Sequence, residues 1–204
     1  MATKRSRHTA GLKSLGGVLQ RINRGVAFRS AVMKQGKAEP ADHAQPLLDA
    51  VSLFEELTIA YALVGGIAAM CYSRARFTED LDFVAASGHG DVLARNTDAM
   101  HKHHFDPSCT WKLYHESGVE VDLWKDEFAD QIVLRSVAIE LAGRKVKVAE
   151  VHDLIAMKPR AGRLQDDYDI SEILKGTAVD DEVVRSRVTA EQFEHYLAVK
   201  LRVK

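Results

Sequence analysis

At 204 residues, with 46% apolar and 28% charged residues, the chain can build one core-bearing domain or a core domain with a helical appendage. No stretch approaches the ~18 consecutive apolar residues of a membrane-spanning helix, so no membrane partner and a cytoplasmic setting are expected. The formal net charge is only −1, and Cys71 and Cys109 stand outside any CxxC or Cys/His ligand pattern, which argues against a disulfide scaffold or a zinc module.

The charge is unevenly placed. Residues 1–37 carry nine Lys/Arg and no Asp or Glu, which leaves the remainder at −10. A basic, acid-free segment of this kind suits a polyanionic partner such as RNA, a solvated tail or an organellar transit peptide; it lacks the apolar stretch of a secretory signal. Its glycines and weak periodicity predict an N-terminal arm over 1–42, with a helix around Leu15–Met33.

From Gln45 the spacing of Leu47, Leu48, Val51, Leu53, Phe54 and Leu57 predicts an amphipathic helix. Ile59–Val64 reads as a buried strand ending at Gly65-Gly66, and Ile67–Arg74 as a short helix. A strand at Leu81–Val84 precedes a helix over about 91–102. Two hairpins follow: Thr110–His115 with Val119–Trp124, and Val137–Leu141 with Lys145–Ala149. After Glu150 the pattern is helical, with breaks near Gly162, Gly176 and Arg187. The fold class is therefore α/β (α+β): a core over 43–149 built on a sheet flanked by helices, and a helical C-terminal part over 150–204.

Three acids carry the chemistry. Asp80 and Asp82 flank Leu81; residues two apart in a strand point to one face, with Cα atoms about 6.5–7 Å apart. Asp122 lies in the alternating run Val119–Trp124 and joins them if the two strands are neighbours. Glu120 shares its face, as a helper or a bystander. Gly65-Gly66 allows a tight turn into a helix and a close approach of backbone N–H groups to a phosphate. No Lys-Ser/Thr follows, so this is not a Walker loop. Three clustered carboxylates repel one another and call for a cation or a shifted pKa.

Val64-Gly65-Gly66, then Asp80-Leu81-Asp82-Phe83, then Val121-Asp122-Leu123 resembles the nucleotidyltransferase superfamily that includes DNA polymerase beta. His152–Lys158 followed by Arg163–Ile170 resembles the minimal, AbiEii/AbiGii toxin-like members, in which a Lys precedes an Arg and paired Asp residues. The likeness spans about 47–175. It implies a mixed sheet of the nucleotidyltransferase type and transfer of a nucleoside monophosphate from an NTP to a hydroxyl of RNA, such as tRNA, or of protein. It further implies two Mg²⁺ ions, replaceable by Mn²⁺, held by Asp80, Asp82 and Asp122, with Asp122 drawing the acceptor proton. Gly65, Gly66, Arg76, Thr78, Lys158 and Asp169 are the expected nucleotide contacts, Asp169 by orienting Lys158. Pro159 directly after Lys158 complicates its placement.

The toxin-like group adds the role of toxin in a toxin–antitoxin system, with an antitoxin protein as partner. Two alternatives stand beside this: a small-molecule, antibiotic-type nucleotidyltransferase, and a non-catalytic nucleotide-binding regulator. The cluster His101, Lys102, His103, His104 has no accompanying acid or cysteine and reads as an exposed helix end, while Trp111 and Trp124 read as core.

Overall fold

Alternation of apolar and polar side chains sets each strand's two faces, and the strands join into one mixed sheet with helices on both sides. The computed structural model describes residues 14, 16–20, 43–74, 78, 80–125, 127–141, 143–161 and 164–203. In chain order the elements are α1 (Ala44–Glu56), β1 (Tyr61–Leu63), α2 (Gly65–Tyr72), β2 (Leu81–Ala85), α3 (His89–Ala94), α4 (Thr97–Lys102), β3 (Phe105–Asp106) and β4 (Lys112–His115). Then come β5 (Glu120–Trp124), α5 (Ala129–Arg135), β6 (Val137–Leu141), β7 (Arg144–Val148), α6 (Val151–Ala161), α7 (Leu164–Gly176), α8 (Asp181–Arg185) and α9 (Ala190–Leu201). Residues 16–20 are helical, with Val18 and Leu19 buried. The rest of the expected basic arm lies outside the described residues.

The sheet runs β3-β4-β5-β2-β1-β7-β6. Parallel pairing joins β2 to β5 and β1 to β7; the other neighbours are antiparallel. This is the expected α/β architecture. One face carries Tyr61 and Phe83, each 5.3 Å from the Phe54 ring of α1 and 5.7 Å from one another. Edge-to-face aromatic contacts of this kind add to the burial of the rings. The other face of β2 carries Asp82 and is approached by α2.

Three local findings depart from the sequence-based expectations. The single helix over 91–102 is two, because the Asn96 side chain donates to the Val92 carbonyl at 2.7 Å and its backbone leaves the helical region. The two-residue edge strand β3 and the seven-residue helix α5 are too short for a periodic signal. The strand expected over Ile59–Val64 is limited to Tyr61–Leu63, and α2 begins at Gly65 itself.

The C-terminal helices are fastened by a buried ionic network rather than by apolar contact alone. Arg135, at the end of α5, donates two hydrogen bonds to Asp153 of α6 at 2.9 and 2.7 Å. Arg187 reaches Glu150 at 2.6 Å and Asp153 at 3.0 Å. The Asp180 N–H donates to His152 Nε2 at 3.0 Å, which leaves the ring proton on Nδ1, and this donates to Glu150. Burial pushes the Glu150 carboxyl up, but hydrogen bonds from His152 and Arg187 outweigh it and hold the group at about 2.

Breaking this network has a defined cost. Asp153→Ala leaves both arginines without their shared carboxylate and lowers unfolding free energy by about 3 kcal/mol, the low end for a broken buried pair because Arg135 reaches solvent. Urea denaturation measures it. Glu150 has a depressed folded pKa, so its contribution is complete above the unfolded value of about 4.3 and is lost as pH falls through about 2. Glu150→Gln should flatten the stability profile over that acidic window.

Candidate functional site

The site begins where β1 ends. Val64 is extended and its N–H donates to the Asp82 carbonyl at 2.7 Å, which aligns the turn with the start of β2. Gly65 then adopts φ +62°, a left-handed conformation that side chains disfavour. A Cβ on Gly65 would lie 2.6 Å from the Asp82 Cβ and closer still to the carboxylate. Two independent constraints therefore require glycine here. The N–H of Gly66 donates to the Asp82 carboxylate.

The parallel register of β2 and β5 pairs Asp82 directly with Asp122, so the two carboxylates share a face. Asp80, in the segment entering β2, lines the same cavity. That cavity has a volume of about 180 Å³ and is bounded on the sheet side by Gly65, Gly66, Thr78 and the three acids. Its opposite wall comes from Lys158 and Met157 of α6 with Gln165 and Asp166 of α7. Six of the nine sequence-predicted residues thus line it together. Lys158 makes the seventh, and Asp169 stands behind it. Arg76 lies outside the described residues.

The electrostatics follow from crowding. Burial raises the pKa of Asp80, and repulsion from Asp82, Asp122 and Glu120 adds to it. Burial likewise raises Asp82, with Asp122 adding repulsion; hydrogen bonds from Trp124 and Gly66 and the charge of Lys158 offset part of this. No hydrogen bond or ion pair reaches Asp80 among the described residues.

Lys158 is 6% exposed, and its ammonium donates to Asp169 at 2.6 Å and lies 3.6 Å from Asp166. Helix α6 continues past Pro159 to Ala161, so the proline falls in the last turn and does not divert Lys158 from the cavity.

Sequence reasoning missed two contributors. Trp124 was expected in the core, yet its indole N–H donates to Asp82 Oδ1 at 2.9 Å and the ring lines the cavity. Lys112 pairs across β4 and β5 with Asp122; its ammonium lies 2.6 Å from Glu120 and 3.3 Å from Asp122. A hairpin centred on Ser117 already places Lys112 opposite Asp122, so that signal was present in the sequence. Trp111, also expected in the core, is 45% exposed because it precedes β4 and rests on the edge of His89 at 5.0 Å. In the histidine cluster, His103 pairs with Glu56 and His104 with Glu116, and both cysteines are free thiols. Among the described residues, no three His, Cys, Asp or Glu side chains form a ready-made metal cage, and no helix is long and apolar enough to cross a membrane.

No family model and no curated protein matches the sequence. Solved structures do. An antigenic nucleotidyltransferase-like protein from Paracoccidioides brasiliensis aligns with a TM-score of 0.54 at 19% identity, over 79% of this chain and 90% of its own. The lincosamide antibiotic adenylyltransferase LnuA, bound to lincomycin, aligns at 0.45 and 16% identity, over 65% of this chain and 97% of its own. The antibiotic-resistance factor ANT(2'')-Ia aligns at 0.45 and 13% identity, over 78% and 90%. The first likeness, together with the sheet order and the Gly65–Asp82–Asp122 arrangement, shows that the chain has the nucleotidyltransferase fold.

Proposed function

We propose that this protein is a metal-dependent nucleotidyltransferase that moves a nucleoside monophosphate from an NTP to a hydroxyl acceptor. The observation that carries this is the convergence of Asp80, Asp82 and Asp122 on the cavity that the Gly65-Gly66 turn borders.

The donor set fits Mg²⁺, with Mn²⁺ as a substitute. All three ligands are hard carboxylate oxygens, and two of them are pushed toward protonation by burial and mutual repulsion, which a cation would relieve. Mg²⁺ commonly takes one or two carboxylates and completes its shell with substrate phosphates and water, so a closed protein cage is not needed. Bound there, one or two such ions would neutralise the triphosphate and make the acceptor oxygen a better nucleophile.

The chain's own groups divide the remaining work. Gly65 and Gly66 let the backbone approach the leaving phosphates at the start of α2. Lys158 adds positive charge from the helical wall, held in place by Asp169, and Thr78 supplies a further phosphate contact. Trp124 and Gly66 fix the Asp82 carboxylate through hydrogen bonds. Asp122, 29% exposed at the open side of the cavity, accepts the proton from the acceptor hydroxyl.

The acid-free basic segment over 1–37 favours RNA as acceptor, through phosphate contacts. A protein acceptor and a toxin role with an antitoxin partner belong to the same chemistry. Incubating the protein with labelled NTPs, Mg²⁺ and either total RNA, cell lysate or small polyhydroxylated molecules separates these acceptors. Label in the third alone would establish the small-molecule reading. Label in none would support the non-catalytic one.

Asp82→Asn and Asp80→Asn should each lower transfer by about 10²–10³-fold or more while leaving the melting temperature within a few degrees. Full activity in either variant would remove the proposed mechanism. Gly65→Ala should both destabilise the fold, by about 1–2 kcal/mol for the left-handed backbone alone, and abolish transfer by displacing Asp82. Lys158→Met should raise the NTP KM about tenfold more than it lowers kcat, read by steady-state kinetics with a melting curve as control.

A further inference from the structure

Lys112 is the one cation that touches Asp122 among the described residues. Its strand pairs with β5 so that Lys112 faces Asp122, and Asp122 in turn faces Asp82 across the parallel pair. The ammonium is divided between two acids, 2.6 Å from Glu120 Oε2 and 3.3 Å from Asp122 Oδ1. Glu120 does not line the cavity; Asp122 does. Lys112 therefore stands on the border between the cavity and the open face of the sheet.

Its surroundings let it move. The Lys112 side chain is 36% exposed and Glu120 39%, so neither is locked by packing. A lysine ammonium on a four-carbon stem can pass between two carboxylates that lie two residues apart on one strand face. A divalent ion approaching Asp122 meets a positive charge 3.3 Å from an oxygen it needs. The two cations compete for one carboxylate, and Glu120 already holds the lysine at the shorter distance.

We propose that Lys112 is a resident counter-ion of Asp122 that withdraws onto Glu120 when a divalent cation binds. Both are positioning residues. Lys112 keeps the empty acid cluster compensated and lowers its affinity for a free ion, so loading depends on the phosphate oxygens that arrive with the nucleotide. Glu120 provides the place to which the lysine retreats. The inference rests on the metal reading of the Asp80–Asp82–Asp122 site.

The test is Mn²⁺ binding to the full chain without nucleotide, followed by the electron paramagnetic resonance of the free ion. Lys112→Gln should tighten Mn²⁺ binding about fivefold, the effect of one exposed unit charge at ion-pair distance in water. Glu120→Gln should weaken it by about fivefold or more, because the lysine then closes on Asp122 alone. In the Lys112→Gln background the Glu120→Gln effect should shrink, since only the loss of one carboxylate remains. Unchanged or weaker binding by Lys112→Gln, or strictly additive effects, would overturn the proposal. So would loss of metal-free NTP binding in Lys112→Gln, which would make Lys112 a phosphate contact instead. Lys112→Met replaces Lys112→Gln if the latter melts early. Asp82→Asn separates the two levels: if wild type binds Mn²⁺ and Asp82→Asn does not, the metal site stands whatever Lys112 does. If neither wild type nor any variant binds Mn²⁺, with or without a non-hydrolysable NTP analogue, the metal reading itself fails and takes the inference with it.

Discussion

The Gly65 backbone approaches the Asp82 carboxylate so closely that no side chain fits between them, and this contact ties the end of β1 to the start of β2. Much else follows from it. The turn must take φ +62°, which only glycine accepts readily, and α2 must begin at that point on the Asp82 side of the sheet. The Asp82 backbone is held by Val64 and its side chain by Gly66 and Trp124, so the carboxylate has little freedom. Burial and repulsion from Asp122 push the carboxyl group held in this way toward protonation.

Charge on the remaining surface of the cavity is arranged around that fixed point. Each acid near Asp82 meets a different partner: Asp122 has an exposed lysine, while Asp80 has no ion pair among the described residues. On the helical wall one buried lysine likewise lies between two acids. A half-buried lysine thus borders the cavity on the sheet side, and a buried one lines it on the helix side. The side chains are 36% and 7% exposed, so packing confines Lys158 more than Lys112.

Most of this cavity was legible in the sequence, for reasons that differ by residue. Asp80, Asp82 and Asp122 declared themselves through alternation: apolar flanks at 81, 83, 121 and 123 leave the acids on one face, and β2–β5 pairing does the rest. The glycines were legible as a turn, although the requirement at Gly65 depends on Asp82, a contact that no local pattern contains. Trp124 and Trp111 were assigned to the core because aromatic residues in alternating runs usually pack inward. One donates to a site carboxylate and the other lies on an exposed edge, since strand periodicity gives a face without saying what covers it. Lys112 was legible only by following the hairpin register across the turn. Helix α5 was not legible at all, because seven residues hold too few periods to register.

The helical wall of the cavity depends on contacts well away from it. Lys158, Met157, Gln165 and Asp166 line the cavity from α6 and α7, but α6 is anchored at its other end by Asp153 and by the neighbouring Glu150 and His152. These hold Arg135 from the core and Arg187 from the loop after α8, so one network joins the sheet layer, the wall and the terminal helices. Tyr72 adds a second tie, donating to the Ala149 carbonyl while its own carbonyl accepts from Thr177. A hydrogen-bonded anchor specifies orientation more sharply than an apolar one, because its partners tolerate little displacement. These ionic contacts thus act with the buried Leu154, Ile155, Ile170 and Ile173 to hold the helices that carry the cavity's far wall.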